Sequence, residues 1–142
     1  MFSDCSSLTN APELPATTLA YGCYYNMFSG CTAMTNAPIL PATSLANYCY
    51  YFMFQNCRAL TTAPFLPAST LPTNGYSYYA MFTGCSNLSS ITTNQTSFNG
   101  CGGWTNGVAA SGTFTCPAAL GDDSTITRGT SACPTGWTVV NV

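Results

Sequence analysis

The chain has 142 residues, 46% of them apolar and 13% aromatic, which is more than a disordered segment carries and suits one folded domain. Only 4% are charged, against roughly a quarter in an ordinary soluble domain, so solubility rests on Thr, Ser, Asn and Tyr. Two arginines, no lysine and no histidine leave no basic surface, which excludes nucleic acid as a partner and electrostatic attachment to anionic lipid; no apolar run approaches the ~20 residues that span a bilayer.

In chain order, the first element is already a repeat. Met1-Phe2-x-x-Cys5 returns as Met27-Phe28-x-x-Cys31, Met53-Phe54-x-x-Cys57 and Met81-Phe82-x-x-Cys85. A spacing of this kind marks a solenoid, whose units bury an apolar face only by stacking on one another. The fold class expected is therefore an α/β solenoid. Met1 belongs to a unit, with no basic n-region, apolar signal core or polar cap before it. The expectation is a C-terminal piece continuous with further N-terminal repeats of a longer chain.

Within each unit, Leu19, Cys23 and Met27, like Leu45, Cys49 and Met53, fall at i, i+4 and i+8, which predicts a short helical or 3-10 segment. Before it, Leu8-x-x-Ala11-x-x-Leu14 is punctuated by Pro12 and Pro15 and reads as a short extended segment. Strands stack closer together than helices, so the stack should curve with short parallel strands on its inner face. Leu71 to Tyr76 brings two extra residues rich in turn formers, and Ser77 stands where Cys23 and Cys49 stand in earlier units.

The pattern dissolves after Leu88. Residues 1–103 are therefore assigned to the repeats, with units starting at 1, 27, 53 and 81. Residues 104–142 have short β-rich runs such as Thr113-Phe114-Thr115-Cys116 and Thr138-Val139-Val140, and are assigned to a small β-rich C-terminal cap.

The run Met27-Phe28-Ser29-Gly30-Cys31-Thr32-Ala33-Met34, followed by Leu40-Pro41 and Leu45, resembles the BspA-like leucine-rich repeats. The tail from Gly112-Thr113-Phe114 to Gly136-Trp137-Thr138-Val139 is similar to endings found on such proteins in gut bacteria and their phages. The resemblance implies a curved leucine-rich-repeat stack displayed on a cell surface or virion and used for adhesion or recognition. The chain departs from the family pattern in its longer unit and its Ala37-Pro38 step.

Nine cysteines without histidine invite a zinc assignment, but the tight C-x₂₋₄-C pairs of structural zinc sites are missing. The repeat cysteines read as small buried hydrophobes in a ladder of reduced thiols. Cys116 and Cys133, each before a proline and outside the repeats, are expected to form a disulfide. Asp122-Asp123-Ser124 is far short of a calcium site's oxygens and reads as a solvated turn. Asp123-Ser124-Thr125 resembles a bacterial O-glycosylation sequence, and Asn87-Leu88-Ser89 and Asn94-Gln95-Thr96 match the N-glycosylation pattern, all three with high chance frequency.

No histidine or lysine is present to act near neutral pH, the acids are scattered, and only Arg58 beside Cys57 offers a thiolate a cation. The chain is accordingly expected not to be an enzyme and to need no cofactor or metal. Two sets of residues are candidates for ligand binding. One is the column Glu13, Ile39 and Phe65, which varies between units, with Asn10, Asn36 and Thr62 nearby. The other is Tyr25, Tyr51 and Tyr79, set against the alternative that these rings only pack unit to unit. The leading expectation is a non-enzymatic adhesion or recognition module of a secreted or surface-displayed protein, extracellular or on the cell surface, binding a protein or glycan. The alternative is a structural fibre or spacer of a phage particle (a virion location) or extracellular filament.

Overall fold

The computed structural model describes all 142 residues, and it corrects the expected α/β solenoid. No α-helix forms, and the single helical element is a three-residue 3-10 turn, η1, at Ala118–Leu120. Regular strand is confined to β1 (Ser90–Thr92), β2 (Thr113–Cys116) and β3 (Thr138–Asn141). These form one open parallel sheet in the order β1-β2-β3, with Ile91 opposite Phe114 and Phe114 opposite Val139. The leucine-rich-repeat stack of inner strands and outer helices is thus absent. Elsewhere extended pairing shrinks to isolated parallel bridges such as Asn10 with Asn36 and Thr62 with Ser90.

The reason lies in the backbone between Gly22 and Cys31 and its counterparts. Odd-numbered residues close tight turns, with the Cys23, Tyr25, Met27, Ser29 and Cys31 N–H groups each donating to the carbonyl three residues back. Even-numbered residues donate sideways into the next unit, from Gly22 to Asn47, Tyr24 to Cys49, Asn26 to Tyr51, Phe28 to Met53 and Gly30 to Gln55. An α-helix would spend all of these groups within itself. Of 70 backbone hydrogen bonds only 5 lie inside regular elements, so turns joined laterally carry the order.

Such a turn train repeats every four residues. From Leu45 to Cys57 the chain buries Leu45, Cys49-Tyr50, Met53-Phe54 and Cys57 and leaves the intervening residues partly or fully exposed. Positive φ recurs at the same interval, at Tyr48 (59°), Phe52 (55°) and Asn56 (60°). Left-handed backbone costs a residue with a Cβ roughly 1–2 kcal/mol, and the lateral hydrogen bonds and ring stacking offset it here.

The core is compact and rich in aromatic and cysteine side chains. Phe2, Phe28, Phe54 and Phe82 stack in one column at 5.7 Å between successive ring centroids. Tyr24, Tyr50, Tyr78 and Trp104 form a second at 6.0 Å. The indole Nε1 of Trp104 donates to the Ala132 carbonyl at 2.9 Å, tying the terminal segment to this column. The first unit is the least covered: Cys5 and Cys23 are exposed whereas Cys31, Cys49, Cys57 and Cys85 are buried.

Candidate functional site

The column Glu13, Ile39 and Phe65 lies on extended segments where side chains alternate. Leu14, Leu40 and Leu66 point into the core, so their predecessors face solvent. Ile39 is 82% exposed and Phe65 48%, which is high for large apolar side chains. Glu13 and Ile39 border a groove of about 540 Å³ walled by Pro12, Pro15, Pro38 and Pro41. The neighbouring polar residues have structural partners: Asn36 Nδ2 donates to Asn10 Oδ1, and Thr62 bridges to Ser90.

Tyr25, Tyr51 and Tyr79 stack at 5.0 and 4.8 Å with ring planes within 9° of parallel. The faces between successive rings are spent on one another, leaving the edges, the hydroxyls and the outer face of Tyr25 at the start of the row. This geometry is that of packing between units. Sequence reasoning missed the second row beside it. Tyr21, Tyr48 and Tyr76 follow one another at 5.3 and 5.6 Å, Tyr48 lies 5.3 Å from Tyr51, and Phe52 sets its edge on Tyr51 at 4.4 Å. The available signal was an aromatic every fourth residue, at 48 and 52, a spacing that a helix and a four-residue turn train both place on one side.

All nine cysteines are free thiols. Cys116 and Cys133, expected to be joined, stand as free thiols, and each sulfur accepts from a neighbouring side chain. Asn141 Nδ2 reaches Cys116 Sγ at 3.7 Å, and Arg128 Nη1 reaches Cys133 Sγ at 3.3 Å. Burial pushes the Cys49, Cys85 and Cys101 thiols up to about 12 and raises Cys57 further. Cys57 is fully buried while Arg58 beside it is exposed, so the guanidinium does not stabilise a thiolate there. No three Cys, Asp or Glu side chains converge as a metal set would.

In the terminal segment Arg128 is a staple. Its Nη1 donates to the Trp137 carbonyl at 2.6 Å and its Nη2 to Asp123 Oδ1 at 2.8 Å, and Asp123 also accepts from the Val139 N–H at 2.9 Å. Asp122 Oδ1 collects the N–H and hydroxyl of both Ser124 and Thr125. These bonds, the Ser124 hydroxyl first, lower its carboxyl to about 2. The Asp122-Asp123-Ser124 loop is thereby a self-satisfied turn.

No family model, curated protein or solved structure matches the chain. No helix is long and apolar enough to cross a membrane.

Proposed function

We propose that the chain is a non-enzymatic recognition module of a secreted or surface-displayed protein, and that it binds a protein ligand through the Ile39 and Phe65 face. The observation that carries this reading is the exposure of these two side chains in equivalent positions of successive units, Ile39 also bordering a groove walled by prolines. Exposed apolar side chains held on constrained backbone suit a partner's apolar side chains, since little freedom is lost on binding. The near absence of charge makes long-range electrostatic steering a minor contribution.

Two further observations support it. The thiols are mostly buried and held protonated, so the nucleophile a catalytic reading would need is not activated. A protonated, inaccessible thiol also resists oxidation, which reconciles the seven buried cysteines, though not exposed Cys5 and Cys23, with an extracellular setting. The resemblance to BspA-like surface repeats points the same way.

The test is an array of extracellular-matrix proteins and glycans probed with the purified chain and with an Ile39→Ser/Phe65→Ser double variant. Binding to a protein that the variant loses, with its circular dichroism unchanged, supports the reading. The spacer reading instead expects no ligand, and binding that persists in the variant rejects the assigned face.

A further inference from the structure

The walls of a second cleft, about 560 Å³ in volume, come from Thr96–Asn99 and Thr127–Ala132. We propose that this cleft binds a neutral saccharide of mono- or disaccharide size. The volume lies in the range of small-ligand sites, roughly 300–1,000 Å³.

The polar groups on its walls are of two kinds. Thr96 and Ser131 are committed within the protein: the Thr96 hydroxyl donates to the Ser69 carbonyl at 3.1 Å, and the Ser131 hydroxyl accepts from the Gly103 N–H at 2.9 Å. By contrast, the side chains of Ser97, Asn99, Thr127 and Thr130 line the same cleft and make no hydrogen bond within the protein. Hydroxyls and one amide, each able to donate and accept, match the alternating donors and acceptors of sugar hydroxyls.

Half-buried Phe98 lies among them. Trp104 and Phe114 hold its ring at centroid distances of 6.3 and 6.2 Å, and it also borders the cleft, where the C–H face of a pyranose can rest on it. The only charged residue in the lining is Arg128. Its guanidinium is already bonded to the Asp123 carboxylate and the Trp137 carbonyl, so an anion would have to compete with Asp123. That favours an uncharged ligand.

The wall from Thr127 to Ala132 is held in place before any ligand arrives. Thr105 N–H donates to the Thr130 carbonyl at 3.1 Å and Trp104 Nε1 to that of Ala132 at 2.9 Å, an arrangement that lowers the ordering cost of binding. This cleft shares no residue with the Ile39 groove, so either proposal can fail without the other.

Saturation-transfer NMR on the full chain tests it, with glucose, galactose, N-acetylglucosamine and their β-linked disaccharides as probes and inorganic phosphate, followed by phosphorus NMR, as the charged control. The expected result is transfer to the ring protons of at least one sugar, no response to phosphate, and binding weakened roughly fivefold by each of Asn99→Ala and Thr127→Val, as loss of one hydrogen bond implies. Both residues are exposed; Ser97→Ala reports on the same wall should either variant misfold. Absence of transfer from every sugar at millimolar concentration would overturn the proposal. So would transfer unaffected by the wall substitutions, transfer abolished by Ile39→Ser/Phe65→Ser, or salt-sensitive phosphate binding.

Discussion

The Cys57 thiol donates to the Phe28 carbonyl at 3.1 Å, across a separation of 29 residues. The same bond joins Cys31 to Phe2 at 2.9 Å and Cys85 to Phe54 at 3.0 Å, so the Met-Phe-x-x-Cys motif encodes a hydrogen bond between units as well as a small buried side chain. Where Ser77 replaces cysteine in the other column, its hydroxyl donates to the Ala46 carbonyl at 3.1 Å. Cys57→Ser should therefore retain a donor and cost about 1 kcal/mol, whereas Cys57→Val removes the donor and adds bulk to a packed column, costing about 1–3 kcal/mol. Equal urea midpoints for the two variants would show that the bond contributes nothing.

Alkylation of the native protein should be confined to two sites. Cys5 and Cys23 are exposed and the other seven cysteines are buried. Brief iodoacetamide treatment followed by peptide mass mapping is expected to label those two heavily, and Cys116 and Cys133 only after denaturation. A Cys116–Cys133 disulfide peptide in unreduced digests would contradict the free thiols seen here.

Stability should form a broad plateau in pH. The folded thiols titrate higher than an unfolded thiol's ~8.5, with Cys49, Cys85 and Cys101 pushed up to about 12 and Cys133 to about 11 by burial. The folded state thus binds protons more tightly, and the stabilisation is fully present below ~8.5 and lost as pH rises toward the folded values. At the acid end, Asp122 is lowered to about 2 by the Ser124 and Thr125 hydroxyls, and Asp123 is lowered by the Val139 N–H and Arg128. Their contribution is present above an unfolded carboxylate's ~3.9 and fades as pH falls below it. Urea midpoints should stay level from about pH 5 to 8 and drop on either side, since no histidine intervenes; a slope within that window would be inconsistent with this account.

The hydroxyls of Tyr50 and Tyr78 are buried and have no hydrogen-bond partner, while their rings stack at 6.0 Å. Phenylalanine keeps the stack and removes the orphaned group. Tyr50→Phe and Tyr78→Phe should each leave stability unchanged or raise it by about 1 kcal/mol. Thermal melts showing a loss of that size would reveal a partner for the hydroxyl, such as an internal water.

Opposite backbone substitutions should have opposite effects. Ala80 is buried at φ 50°, so Ala80→Gly relieves left-handed strain and is expected to stabilise by about 0.5–1 kcal/mol after the entropy gained by the unfolded chain. At Gly112 a Cβ would overlap the Ser89 carbonyl, which accepts the Thr113 N–H at 2.8 Å and so cannot easily withdraw. Gly112→Ala should cost at least about 2 kcal/mol, read from the urea midpoint; the reverse ordering of the two variants would reject both arguments.

Much of the interior was legible from recurrence alone. Phe28 and Phe54 occupy the same place in successive units, and their rings meet at 5.7 Å with planes 14° apart. The Leu14, Leu40 and Leu66 positions are buried, with Glu13, Ile39 and Phe65 turned outward, as alternation along an extended segment requires. The candidate apolar face was therefore readable in outline, whereas its exposure and the adjoining groove were not.

The sequence by itself determined which side chains would meet, because chemically identical residues recurring in the same place of each unit can satisfy one another only in register. The backbone that brings them there was decided by tertiary structure. Leu45, Cys49 and Met53 suit a helix of 3.6 residues per turn as well as a turn train of four. What separates the two is lateral hydrogen bonding such as Tyr50 N–H to the Ser77 carbonyl at 3.1 Å, which exists only once the units lie side by side. The saccharide cleft likewise joins Ser97 and Asn99 to Thr127 and Thr130, positions too far apart in the chain for any local pattern to connect.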